Sequence, residues 1–159
     1  MENNWTKDIL GEEFVDKDGN KLSGADAVEG YKLIMIVYSA SWWGGCRPFK
    51  ANLKNLYAEW NKDGAKNIQV VIISGDNDEN GYKDTTGEMP WVAIPLKAHN
   101  QDKLNTKVPC TGYPTPGILN GATGEVLDAD AFGKVDQANY DAWMAKCWSP
   151  WPYLNIPKW

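Results

Sequence analysis

Apolar and polar positions follow two rhythms along this chain. YKLIMIVYSA, residues 31–40, is a continuous apolar run rich in β-branched residues, the pattern of a strand buried on both faces. NIQVVIIS, residues 67–74, predicts a second such strand. Between them the period changes. Phe49, Leu53, Leu56, Tyr57 and Trp60 recur at helical spacing from Cys46 to Lys62, and Asp63-Gly64 stops that helix. Upstream, EEFVDKDGNKLS reads as a β-hairpin turning at Asp18-Gly19. Downstream, DNDENGYKDTTGE opens with helix-capping types and predicts a short helix. WVAIPL predicts a short strand and AHNQDKLNTK a short helix. TPGILN and EVLDA flank a turn at residues 120–124 and predict a second hairpin. VDQANYDAWMAKCW closes the pattern as a helix.

Strands that alternate with helices require parallel crossovers, whereas the hairpins are antiparallel. The fold class is therefore α/β: a central mixed sheet with helices on both faces and an N-terminal hairpin. In such sheets, sites form beyond the carboxyl ends of parallel strands, where a loop enters a helix. Trp42 to Pro48 is such a place.

Composition narrows the function classes. The chain has 159 residues, enough for one domain with a real core. A net charge of −5 and no basic run argue against sequence-independent binding to nucleic acid or to a membrane surface. The longest apolar run, Leu33 to Tyr38, is too short to cross a bilayer. The opening Met-Glu-Asn-Asn is polar and unlike a secretory signal, so Asn4-Trp5-Thr6 reads as a chance glycosylation match. Three widely spaced cysteines, Cys46, Cys110 and Cys147, are not a disulfide framework; a reducing, cytoplasmic compartment and a monomer are expected. Nine tryptophans are unusual for this length; Trp42, Trp43, Trp91, Trp143 and Trp148 fall in or beside predicted elements, as core or cleft residues. Residues 1–147 form the domain. WSPWPYLNIPKW, residues 148–159, is a Pro/Trp-rich tail expected to pack on it.

The chemistry concentrates in SASWWGGCRPFK, residues 39–50. Strand, then Ser39-Ala40-Ser41-Trp42, then Cys46-Arg47, then helix resembles the thioredoxin fold, and within it the tryparedoxin and nucleoredoxin branch, whose site reads Ser-Ala-Ser-Trp-Cys-Pro-Pro-Cys-Arg. Asp76 and Met89-Pro90-Trp91 match that branch further on, and Pro114 in GYPTPGIL stands where the fold keeps its cis-proline. The resemblance implies a thiol-disulfide oxidoreductase family without a cofactor. This chain departs from it at the site itself, because Trp43-Gly44-Gly45-Cys46 replaces Cys-Pro-Pro-Cys. In the family the first cysteine is the nucleophile and the second resolves the mixed disulfide. Here only the second is kept.

Several readings of Cys46 stay open. It is a buried structural thiol, or a monothiol whose thiolate is favoured by the helix N-terminus and Arg47, or one half of a bond with Cys110, a candidate resolving partner four residues before Pro114. Cys147 reads as core. His99 stands without the neighbours of a metal site, so no metal is expected. Asp76, Asp78 and Glu79 read as capping residues. Two functions follow. One is a binding module that has lost dithiol turnover and holds a protein or peptide in a groove of Trp42, Trp43, Tyr113 and Pro114, with Gly44, Gly45 and Arg47 beside it. The other is a monothiol oxidoreductase that uses Cys46 with a glutathione-type thiol.

Overall fold

The computed structural model describes residues 4–96 and 101–147; His99 and the tail, 148–159, lie outside the described residues. The elements run α1 (Asn4–Leu10), β1 (Glu13–Val15), β2 (Lys21–Ser23), α2 (Gly24–Ala27), β3 (Leu33–Ser39) and α3 (Cys46–Trp60). After these come β4 (Ile68–Ser74), α4 (Glu79–Thr86), β5 (Val92–Ala93), α5 (Gln101–Lys107), β6 (Thr115–Asn120), β7 (Val126–Asp128) and α6 (Gln137–Cys147).

The two unbroken apolar runs lie side by side. β3 and β4 pair in parallel over their whole length, from Leu33 opposite Ile68 to Ser39 opposite Ser74. β6 joins the other edge of β3 in antiparallel register, and the seven-stranded order is β2-β1-β5-β4-β3-β6-β7. Both predicted hairpins close as antiparallel pairs, β1 with β2 and β6 with β7.

Side chains alternate across a strand, so β3 feeds two cores. Leu33, Met35 and Val37 meet Leu53 and Trp60 of α3, Tyr82 of α4, and Tyr140 and Trp143 of α6. Ile34, Ile36 and Tyr38 meet Leu10 of α1, Ala27 of α2 and Leu104 of α5 on the opposite face. Each fully buried aliphatic side chain contributes about 1.5–3 kcal/mol, so these two layers dominate the stability. In the first, Trp60 stacks on Tyr140 with centroids 4.3 Å apart, and its indole N–H donates to Gln137 Oε1 at 2.9 Å.

α3 stops where the sequence says it should. Asp63 and Gly64 adopt left-handed backbone, φ 63° and 77°. Asn61 Oδ1 then accepts from the Asn67 and Ile68 amides, both at 3.0 Å, and ties the helix end to the start of β4.

Sequence patterning gave no sign of α2, a single turn capped by Ser23, or of the seven-residue α1. Seven residues are too few to show a helical period, and short helices form only with tertiary support. That support comes from 116 residues away, where the Trp5 indole N–H donates to the Gly121 carbonyl at 2.8 Å. Gly121 is itself wedged against the chain before β3: a Cβ there would sit 1.9 Å from the Tyr31 carbonyl oxygen, while its amide donates to the Lys32 carbonyl at 2.8 Å. Gly121→Ala is therefore expected to cost at least about 2 kcal/mol, because backbone rather than a side-chain tip must move. A urea titration checks this; an unchanged midpoint would show that the β6–β7 turn can relax freely.

Candidate functional site

The loop from Ala40 to Gly45 leaves β3 at the carboxyl end of the sheet and enters α3. Its path is fixed by Asp76. The Ser41 amide and hydroxyl both donate to Asp76 Oδ1, at 2.9 and 2.6 Å. The hydroxyls of Ser74 and Thr85 donate to Oδ2. Asp76 is 7% exposed, so its charge rests on these donors. Burial opposes ionisation, yet the bonds from Ser41, Ser74 and Thr85 outweigh it and hold the carboxyl below its ordinary range. Capping, the role expected of Asp76, belongs to Asp78 alone, whose carboxylate accepts from the Gly81 amide at 2.8 Å. Asp76 instead joins the site loop, the end of β4 and α4. The signal for this was available: Ser39 and Ser74 end adjacent strands in register, and an acid follows two residues after the second.

Beyond Ser41 the loop turns tightly, with the Cys46 amide donating to the Trp43 carbonyl at 3.1 Å. Gly45 takes the N-cap position of α3, and the Trp43 indole lies 3.1 Å from where a Gly45 Cβ would stand. Gly44 faces open space. Pro48 falls in the first turn of α3, where a missing amide hydrogen costs nothing.

Two concavities flank this loop. One, of about 450 Å3, is a groove lined by Trp42, Trp43, Tyr113, Pro114 and Phe132, with Thr111, Gly112, Thr115 and Asp130 completing it. Among the described residues, the large hydrophobic side chains left exposed are Trp42, Trp43 and Phe132, at 59, 52 and 61%, and all three are here. Trp42 meets Trp43 and Tyr113 edge to face, with centroids 6.5 and 5.2 Å away. The Tyr113–Pro114 peptide bond is cis. The Tyr113 phenol lies against Gly75, and burial, with help from the neighbouring Cys110 side chain, pushes its pKa up.

The other concavity, of about 350 Å3, contains Cys46 and has an excess of cations, with Arg47, Lys50, Lys54 and Lys83 lining it together with Asp84 and Glu88. Cys46 is 6% exposed. Arg47 points outward and pairs with Asp84 at 3.2 Å. Lys50 donates to the Thr85 and Gly87 carbonyls; burial, then repulsion from Lys54, pulls its pKa down.

The residues singled out in the sequence thus divide. Trp42, Trp43, Tyr113 and Pro114 share the groove, Cys46 and Arg47 share the cationic cavity, and Gly44 and Gly45 line neither. All three cysteines are free thiols. Cys110 packs under the Pro114 loop, its sulfur 3.5 Å from the Gly112 carbonyl. Cys147 is half-buried, and burial raises its pKa. Phe132, Asp130 and the lysines of the second cavity carry no motif and were not anticipated.

A family model described as thioredoxin-like matches residues 30–126, well over half of the chain. The chain belongs to the thioredoxin-like family. Within it, its relatives include tryparedoxins and nucleoredoxins. Tryparedoxin of Trypanosoma brucei brucei is 32% identical over 126 residues, 76% of this chain and 80% of that protein. Nucleoredoxin of Danio rerio is 28% identical over 151 residues, 93% of this chain but only 36% of that longer protein. The crystal structure of tryparedoxin I from Crithidia fasciculata superposes with a TM-score of 0.69 at 25% identity, covering 82% of this chain and 89% of that one. A thioredoxin-like α/β fold with a mixed sheet is therefore established. Among the described residues no helix is long and apolar enough to cross a membrane.

The Asp76 cluster generates a pH-dependent prediction. A carboxyl whose folded pKa is depressed stabilises fully above its unfolded value, near 3.9, and loses that contribution as pH falls through the folded value. Asp76→Asn is expected to lose about 2 kcal/mol at neutral pH. The gap to the wild type should narrow as pH drops below about 4. Denaturant titrations of both proteins across that range check it; a gap independent of pH would assign the loss to packing rather than charge.

Proposed function

We propose that this chain is a peptide-binding member of the thioredoxin-like family that has given up dithiol exchange. The reading is supported by what stands at the two ends of its motif. At the position of the family's first cysteine is Trp43, half exposed and part of the groove wall; Cys46, the second position, is 6% exposed and lines the other cavity. With no thiol at position 43, the motif cannot cycle between dithiol and disulfide. Trp43 adds apolar area where an extended segment would lie, beside Trp42, Tyr113 and Phe132. Such a role calls for no cofactor, and fits a monomer in the reducing cytoplasm that takes a protein or peptide partner.

Turnover tests it directly. The wild type is expected to reduce a protein disulfide no faster than Cys46→Ser, whereas Trp43→Cys, which restores a thiol three residues before Cys46, should raise the rate at least about tenfold. Wild-type turnover equal to that of Trp43→Cys would remove the proposal.

The cationic cavity supports a second reading, a monothiol. There the Cys46 thiolate would attack a glutathione-type disulfide, forming one mixed disulfide and releasing one thiolate; a second external thiol would return Cys46 to its reduced form. Arg47, Lys54 and Lys83 complement the carboxylates of such a compound. Alkylation separates the two. On the binding reading, Cys46 labels at least about tenfold more slowly in the folded chain than in the unfolded one, up to the ordinary thiol pKa near 8.5. Labelling of the folded chain at the unfolded rate would favour the monothiol.

A further inference from the structure

The groove is uneven in charge, and this points to what it holds. Asp130 is the only charged residue among its lining residues, and no lysine or arginine is present. The Asp130 carboxylate caps the Phe132 amide at 3.1 Å and receives the Thr111 hydroxyl at 3.4 Å. Among the described residues it has no ion-pair partner; Lys134, four residues on, is engaged with Asp128 at 3.7 Å.

The aromatic residues add to the same sign. An aromatic ring is negative on its face and positive at its edge. Trp42 meets Trp43 at an interplanar angle of 81° and Tyr113 at 73°, so these rings touch edge to face and none covers another in a stack. The contrast is Trp60 and Tyr140 in the core, which lie 4° from parallel and spend their faces on each other. In the groove, Trp42 and Trp43 stay 59 and 52% exposed, and Asp130 lines the same concavity. A guanidinium or ammonium on an apolar stem is the group that satisfies both, stacking on a ring while pairing with the acid.

We propose that the groove recognises an extended peptide segment by one arginine or lysine side chain, held against the faces of the groove aromatics with Asp130 as its counter-charge. The proposal rests on the groove-binding reading above and names the chemistry of its partner. An acidic segment is disfavoured twice, by Asp130 and by the ring faces. The concavity on the other side of the loop carries the opposite excess of charge, with Arg47, Lys50, Lys54 and Lys83 against Asp84 and Glu88.

Three end-capped peptides of one sequence, differing only in a central arginine, norleucine or glutamate, test this by calorimetric titration of the full chain. The arginine peptide is expected to bind about fivefold tighter than the norleucine peptide, and the glutamate peptide weakest. Asp130→Asn, which keeps an oxygen for the Phe132 amide, should remove most of the arginine preference; Trp43→Ala should weaken all three peptides together. The preference should also shrink in about 1 M salt. Equal affinities, or tightest binding of the glutamate peptide, would overturn the charge assignment while leaving the groove reading intact. No binding by any peptide would remove the groove reading itself, and this inference with it.

Discussion

Parallel pairing of β3 with β4 is the constraint from which the site follows. Both strands are apolar along their length and buried on both faces, so the alternation of their side chains supplies two cores at once. Their register ends with Ser39 opposite Ser74, which brings two loops out of the sheet side by side. Asp76, at the start of the second loop, reaches the Ser41 amide and hydroxyl in the first. A buried carboxylate must be fully compensated, so the site loop is held by the same bonds that make Asp76 tolerable. This explains how two adjacent tryptophans can stand half exposed. The backbone at Ser41 is pinned and the next turn is closed by the Cys46 amide, so Trp42 and Trp43 cannot fold back into a core that is already filled.

Where the sequence was legible, one physical signal dominated locally. The runs at residues 31–40 and 67–74 could only be buried strands, and the helical period from Phe49 to Trp60 marked α3. Asp63-Gly64 stopped that helix through backbone conformation, which is local by nature. Apart from α2, a single turn capped locally by Ser23, the misses depend on distant partners. α1 is held by Gly121, and nothing in residues 4–10 announces that contact. Asp76 has the composition of a cap, but its donors come from two other segments. Phe132 reaches the groove from the loop after β7, in a stretch without period or motif. The active-site motif itself was readable as a resemblance. That Cys46 and Trp43 line different concavities was not, because both concavities are completed by residues from distant segments, Asp84 and Thr85 on one side and Tyr113 and Phe132 on the other.

That separation means that the groove and the thiol position are built from different parts of the fold. A dithiol cycle needs two thiols in one turn, one exposed and one behind it. The groove needs neither. Its walls come from the site loop, the Pro114 loop and the segment after β7, and only Trp42 and Trp43 belong to the motif. Trp43 stands half exposed in the groove wall, while Asp76, Ser41 and the turn into α3 keep the loop in place. Cys46, 6% exposed, heads α3 and lines the other concavity. The surface on one side of the loop is aromatic and acidic, and on the other cationic. That difference is set by residues outside the motif, chiefly Asp130 on one side and Lys50, Lys54 and Lys83 on the other.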